Sequence, residues 1–193
     1  MKYRLLFPAA AALALAACGG NDAATTDADA GAAASDTSMA DQAAMTPDPS
    51  AESAMPTDAQ GFVDKASASD MFEIEAGKLA QSMGKSQAVK DFGAMMVKDH
   101  TKSSSDLKTA AASAQGVTVA PKLSAMQQSN LDALESAGDN FDATYKQQQI
   151  AAHEQTLSLL QGYSRNGDNE ALKGFATKTA PVVEGHLGEA RSL

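Results

Sequence analysis

The chain has 193 residues, 24 acidic against 15 basic side chains, a formal net charge of −9, and an aromatic content of 5% with no tryptophan. A surface of that sign repels a phosphate backbone, so nucleic acid is excluded as a partner. With 1 cysteine in the whole sequence, disulfide frameworks and multi-thiolate metal sites are excluded as well.

In chain order the first feature is an export signal: Lys2 and Arg4, an apolar run from Leu5 to Leu15, and small residues before a cleavage point. The run is too short to span a bilayer. Its end, Leu15-Ala16-Ala17-Cys18, resembles a bacterial lipoprotein signal. The resemblance implies cleavage before Cys18, a diacylglycerol on its thiol and acylation of the new amino terminus. The expected partner is therefore a membrane, held through lipidated Cys18. Gly19 stands where an inner-membrane retention signal usually has Asp, which implies the outer membrane, facing the periplasm. Loss of residues 1–17 removes Lys2 and Arg4 and no acid, taking the formal charge from −9 to −11.

Residues 18–59 read as the lipidated cysteine followed by a disordered acidic tether. Asp22, Asp27, Asp29, Asp36, Asp41, Asp48, Glu52 and Asp58 lie there without a Lys or Arg, among Ala, Thr, Ser and Pro. Such a stretch buries too little apolar surface to offset the entropy of ordering it. As a coil it would span about 35 Å on average. Met39, Met45 and Met55 have no His or Cys near them and are not read as a metal site.

From residue 60 to 193 the composition turns to Leu, Phe, Ile, Val, Ala and Met at helical spacing, the size of one domain. Phe62, Ala66, Ser69, Phe72, Ala76, Leu79 and Met83 form the stripe of a first helix, ended by Gly84. Ser86 is the expected N-cap of a second, with Val89, Phe92, Met96, His100, Leu107, Ala111 and Ala114 on its inner face and Gly116 at its end. A shorter helix is expected from about Lys122 to Glu135, stopped by Gly138. Phe141 to Tyr163 reads as the third long helix, and Gly167-Asp168 as the link to a fourth, with Pro181 as a kink. No segment alternates with period two. The fold class is all-α: an antiparallel four-helix bundle with a short extra helix in the crossover between long helices two and three.

Three histidines are present, one on each of three long helices: His100, His153 and His186. All lie on or beside the apolar stripes. Counted from the turns at Gly84 and Gly167, His100 and His153 lie about 21 to 23 Å along their helices, at one level, whereas His186 falls some 6 to 8 Å deeper. Glu73 flanks the inner face of the first helix, and Glu189 follows His186 by one turn. Inward imidazoles and carboxylates are the donor set of iron, manganese, zinc or copper sites. The reading preferred from the sequence is the other one, core histidines satisfied by neighbouring hydroxyls such as Ser103, Ser104, Thr156 and Thr179. Gly84-Lys85-Ser86 is not a phosphate loop, because position 79 is Leu and a helix precedes it. No hydrolase or zinc-protease motif occurs.

Glu73-Ile74-Glu75-Ala76-Gly77-Lys78-Leu79-Ala80, Met96-Val97-Lys98-Asp99-His100-Thr101, Phe141-Asp142 with Tyr145 and His153, Gly167, Ala180-Pro181 and His186-Leu187 together resemble the bacterial envelope family called domain of unknown function 4142. The resemblance covers residues 60 to 193 and implies a ferritin-like bundle, secreted or lipid-anchored, with no established activity. The di-iron pattern of such bundles places Glu three before His on two helices. Here Val97, Ile150 and Val183 stand at those positions, and Ala152 replaces the Asp often found before the third-helix His.

The expected function is that of a lipid-anchored, non-enzymatic periplasmic bundle engaged in binding or envelope maintenance. The alternatives are a transition-metal protein using His100, His153 and His186 with Glu73, and an adaptor for another envelope protein.

Overall fold

The computed structural model describes residues 55–193. The signal sequence, Cys18 and nearly all of the tether lie outside the described residues. Five α-helices follow in order: α1 (Ala59–Met83), α2 (Gln87–Ala111), α3 (Ala125–Ser136), α4 (Phe141–Asn166) and α5 (Glu170–Ser192), with a single 3-10 turn (Gly138–Asn140) leading into α4. No strand occurs among the described residues. The four long helices form the bundle, each packing on two others: α1 on α2 and α4, α5 on α4 and α2. α3 lies across α1 and α4 as the crossover helix.

The helix ends follow from local chemistry. Asp58 caps α1 by accepting from the Gly61 amide at 2.8 Å. Ser86 caps α2 through the Val89 amide, as its sequence position predicts. Asp142 of α4 also accepts from the amides of Lys85 and Ser86 at 2.8 and 2.9 Å, which pins the α1–α2 turn to the start of α4. α3 starts at Ala125 rather than near Lys122, because Ser124 and Gln127 form a reciprocal capping box there. α2 ends at Ala111, short of the expected Gly116, which takes a left-handed φ of +76° in the loop beyond. α5 runs unbroken through Pro181, at the cost of one intrahelical bond to the Thr177 carbonyl.

The two hairpin turns lie at opposite ends of the bundle. Asp142 holds the α1–α2 turn beside the start of α4, while the Asp168 amide of the α4–α5 turn bonds the Thr57 carbonyl just before α1, at 3.1 Å. Two apolar clusters correspond to these ends. One gathers Phe62, Leu107, Leu160, Tyr163, Leu172 and Phe175, with Phe62 stacked on Tyr163 at 4.0 Å. The other gathers Phe72, Phe92, Met96, Leu134, Phe141 and Tyr145. Between them, at mid-height on all four long helices, lies a polar layer.

Candidate metal centre

The layer is built from Asp70 and Glu73 of α1, His100 of α2, Gln149 and His153 of α4 and His186 of α5, none more than 5% exposed. The three imidazoles face one another. Ring centroids are 5.9 Å apart for His100–His153 and 5.6 Å for both His100–His186 and His153–His186. One ligating nitrogen from each of the three lies within 4.8 Å of those of the other two.

His100 and His153 share a level because each sits near the middle of a helix of similar length, so it does not matter that their turns are at opposite ends. His186 joins them, contrary to the expected 6 to 8 Å offset. The offset counts backbone rise alone, whereas side chains lean toward the N-terminus of their own helix. On α4 that lean carries His153 away from the α4–α5 turn; on antiparallel α5 it carries His186 toward it. The gap closes from both sides.

Each ring uses one nitrogen outward. His100 Nδ1 bonds Asp70 Oδ1 at 2.8 Å, His153 Nδ1 bonds the Gln149 carbonyl at 2.8 Å, and His186 Nε2 bonds Asp99 Oδ2 at 3.2 Å. A carbonyl only accepts, so His153 carries its proton on Nδ1 and presents a lone pair at Nε2. With carboxylates as acceptors, the neutral forms of His100 and His186 present Nε2 and Nδ1 in the same way. Those three nitrogens, His100 Nε2, His153 Nε2 and His186 Nδ1, are buried without a hydrogen-bond partner in the protein.

Glu73 is placed differently from the histidines. Its Oε1 is 3.6 Å from His153 Nδ1, beyond hydrogen-bonding distance and on the side of the ring that faces Gln149. It is not among the converging ligand atoms. Glu189 lies exposed on α5.

Burial dominates the electrostatics. It raises the Glu73 carboxyl to about 7, against the lowering effect of His100 and Gln149. It pushes His153 down to about 3, helped by the charges of His100 and His186 and opposed by the Gln149 bond. His186 is lowered by burial and by His100, partly offset by Asp99. For His100 burial also lowers, but the Asp70 hydrogen bond and the charges of Glu73 and Asp70 outweigh it and the net direction is up.

These residues fit a transition-metal ion. An unpaired buried nitrogen costs about 1–3 kcal/mol, and three of them on clustered imidazoles could be satisfied together by one Lewis acid. Imidazole–metal bonds near 2 Å put the donors of a tetrahedral ion about 3.3 Å apart. Ring movements of about an ångström achieve that from the present spacing. The outward bonds to Asp70, Asp99 and the Gln149 carbonyl are the second layer that fixes ligand orientation and basicity in metal sites.

The fold and site define an all-α bundle with a three-histidine candidate metal centre. The chain belongs to the family described as Domain of unknown function (DUF4142), whose model matches residues 44–193. Two similar solved structures are those described as CopM in the Cu(II)-bound form and in the Cu(I)-bound form. The first is 14% identical, with a TM-score of 0.60, covering 70% of this chain and 94% of that one. The second is 17% identical, with a TM-score of 0.59, covering 69% and 92%. At these identities the likeness shows the shared fold. A comparison with curated proteins finds no match.

Sequence reasoning missed Asp70 and Asp99. Asp99 directly precedes His100, but its partner His186 is 87 residues away on another helix. For Asp70 a signal existed: Asp70 and His100 stand equally far on either side of Lys85, so folding the helical hairpin at Gly84–Ser86 sets them opposite each other.

Proposed function

We propose that this protein is a non-enzymatic metal-binding bundle of the bacterial cell envelope, in which His100, His153 and His186 hold one transition-metal ion. The observation that carries this reading is the cluster of three buried imidazoles, each with one ring nitrogen lacking a hydrogen-bond partner in the protein and with ligating nitrogens within 4.8 Å of one another. Core histidines that merely fill volume would have both nitrogens satisfied, and two of the four hydroxyls expected to do so bond elsewhere: Thr156 pairs with Ser69 at 2.7 Å and Ser104 with Asp70 at 3.3 Å. Three imidazoles with no thiolate suit zinc, copper, iron or nickel. Copper is the first ion to test, because the two similar structures are described as copper-bound. In this reading Asp70 and Asp99 orient the ligands, and Glu73, behind His153, adds a negative charge only as pH rises through about 7.

Elemental analysis of untagged protein after exposure to Cu(II) and Zn(II) tests it. One ion per chain is expected for the parent, and less than a tenth of that for a His100→Ala, His153→Ala double variant whose helicity is intact. Equal metal content in both would overturn the reading. The envelope location rests on Cys18 and its signal, and Cys18→Ser should move the protein from the membrane pellet to the soluble fraction of a bacterial host.

A further inference from the structure

The polar layer is closed on most sides. Glu73, Gln149 and His153 are at most 1% exposed, and Phe72, Met96 and Tyr145 seal the layer toward one end of the bundle. Among the described residues a cleft of about 30 Å³ reaches the layer, with Asp99, His100 and Ser103 of α2 on one side, Thr179, Val182 and His186 of α5 on the other, and Asp70 of α1 and Thr156 of α4 deeper in. Val182 stands at its mouth, 48% exposed. The Asp99 side chain is 29% exposed there, one oxygen bonded to His186 and the other 3.9 Å from the Lys98 ammonium. Asp99 is thus the one partner of the three rings that meets both solvent and a ligand.

Resting on the metal reading above, we propose that the α2–α5 cleft is the passage by which the ion enters and leaves, with the Asp99 carboxylate as its first protein ligand on the way in. The ion is then exchangeable cargo and not a fixed structural part. The size of the passage sets what can travel with it. A water needs roughly 10–15 Å³ of such space, so the cleft admits an ion with at most one or two waters and excludes a multidentate chelator. An external chelator therefore captures the ion only after it has left.

Co(II) serves as the probe, its uptake followed by visible absorption and its removal by EDTA. Removal from the parent should proceed at a rate independent of EDTA concentration. Val182→Trp and, separately, Ser103→Phe, which fill the mouth and the wall, should each slow uptake and removal about tenfold or more while one Co(II) per chain is retained. Met126→Trp, on the exposed face of α3, should change neither rate. A removal rate that climbs in proportion to EDTA would overturn the proposal. So would unchanged rates in both cleft variants, or exchange accelerated by Leu131→Ala, which loosens the packing under α3 and would mark helix separation as the route. A parent that takes up none of Co(II), Cu(II) and Zn(II) in a form abolished by His100→Ala, His153→Ala overturns the metal reading and this one together, whereas normal uptake with cleft-independent rates overturns the passage alone.

Discussion

His153 gives its Nδ1 proton to the carbonyl of Gln149, one turn back on its own helix, and so needs no partner from elsewhere to fix its tautomer. His100 and His186 depend on carboxylates of other helices, Asp70 and Asp99. Glu73 gains neither kind of support, and its pH dependence is the clearest single-residue consequence. Its folded pKa of about 7 lies above the ordinary 4.5, so between those values the folded chain keeps a proton that the unfolded chain has released. Stability due to this group is complete below about pH 4.5 and is lost as pH rises through 7. Glu73→Gln removes that loss. Metal-free Glu73→Gln protein should match the parent near pH 4.5 and exceed it by about 2–3 kcal/mol at pH 8, read from thermal melts in EDTA. His153 acts in the opposite sense. Its pKa is held down to about 3, so its contribution is present above the ordinary 6.5 and is lost as pH falls toward 3.

At the scale of elements, the crossing of α1 and α2 sets the Asp70–His100 distance. A Cβ on Gly93 would meet the Gly77 carbonyl oxygen and the Ala80 Cβ, each at 2.7 Å, and a Cβ on Gly77 would meet the Gly93 carbonyl at 2.7 Å. The backbones touch there, about 10 Å along the helices from the Asp70–His100 pair. Gly93→Ala should therefore push the helices apart, costing about 1–3 kcal/mol in denaturant titrations and weakening metal affinity by lengthening that hydrogen bond. An unchanged metal affinity would show that the site tolerates the shift. The helices themselves were legible from apolar spacing, and Gly84 and Ser86 marked a turn correctly because capping chemistry is local. The start of α3 was less legible, since Ser124-x-x-Gln127 competes with the apolar pattern nearby. The histidines could be picked out because each lies on a stripe. Their convergence, and the roles of Asp70 and Asp99, depend on which ends of the hairpins coincide, and no local pattern encodes that.

For the whole molecule, the polar layer divides the core into two apolar clusters joined through the site. An ion binding only the folded chain stabilises it by about 2.7 kcal/mol at a hundredfold excess over Kd. For a domain of this size that is a rise in Tm of roughly 5–10 °C, reversed by a chelator and absent in the His100→Ala, His153→Ala variant. Calorimetry with and without the ion checks it. The α1–α2 hairpin supplies Asp70, Asp99 and His100, and the α4–α5 hairpin supplies His153 and His186. Neither hairpin alone carries three imidazoles. On the proposed reading, the complete three-imidazole set exists only in a chain whose two halves have already met, so binding by all three rings would distinguish a finished molecule from a half-assembled one.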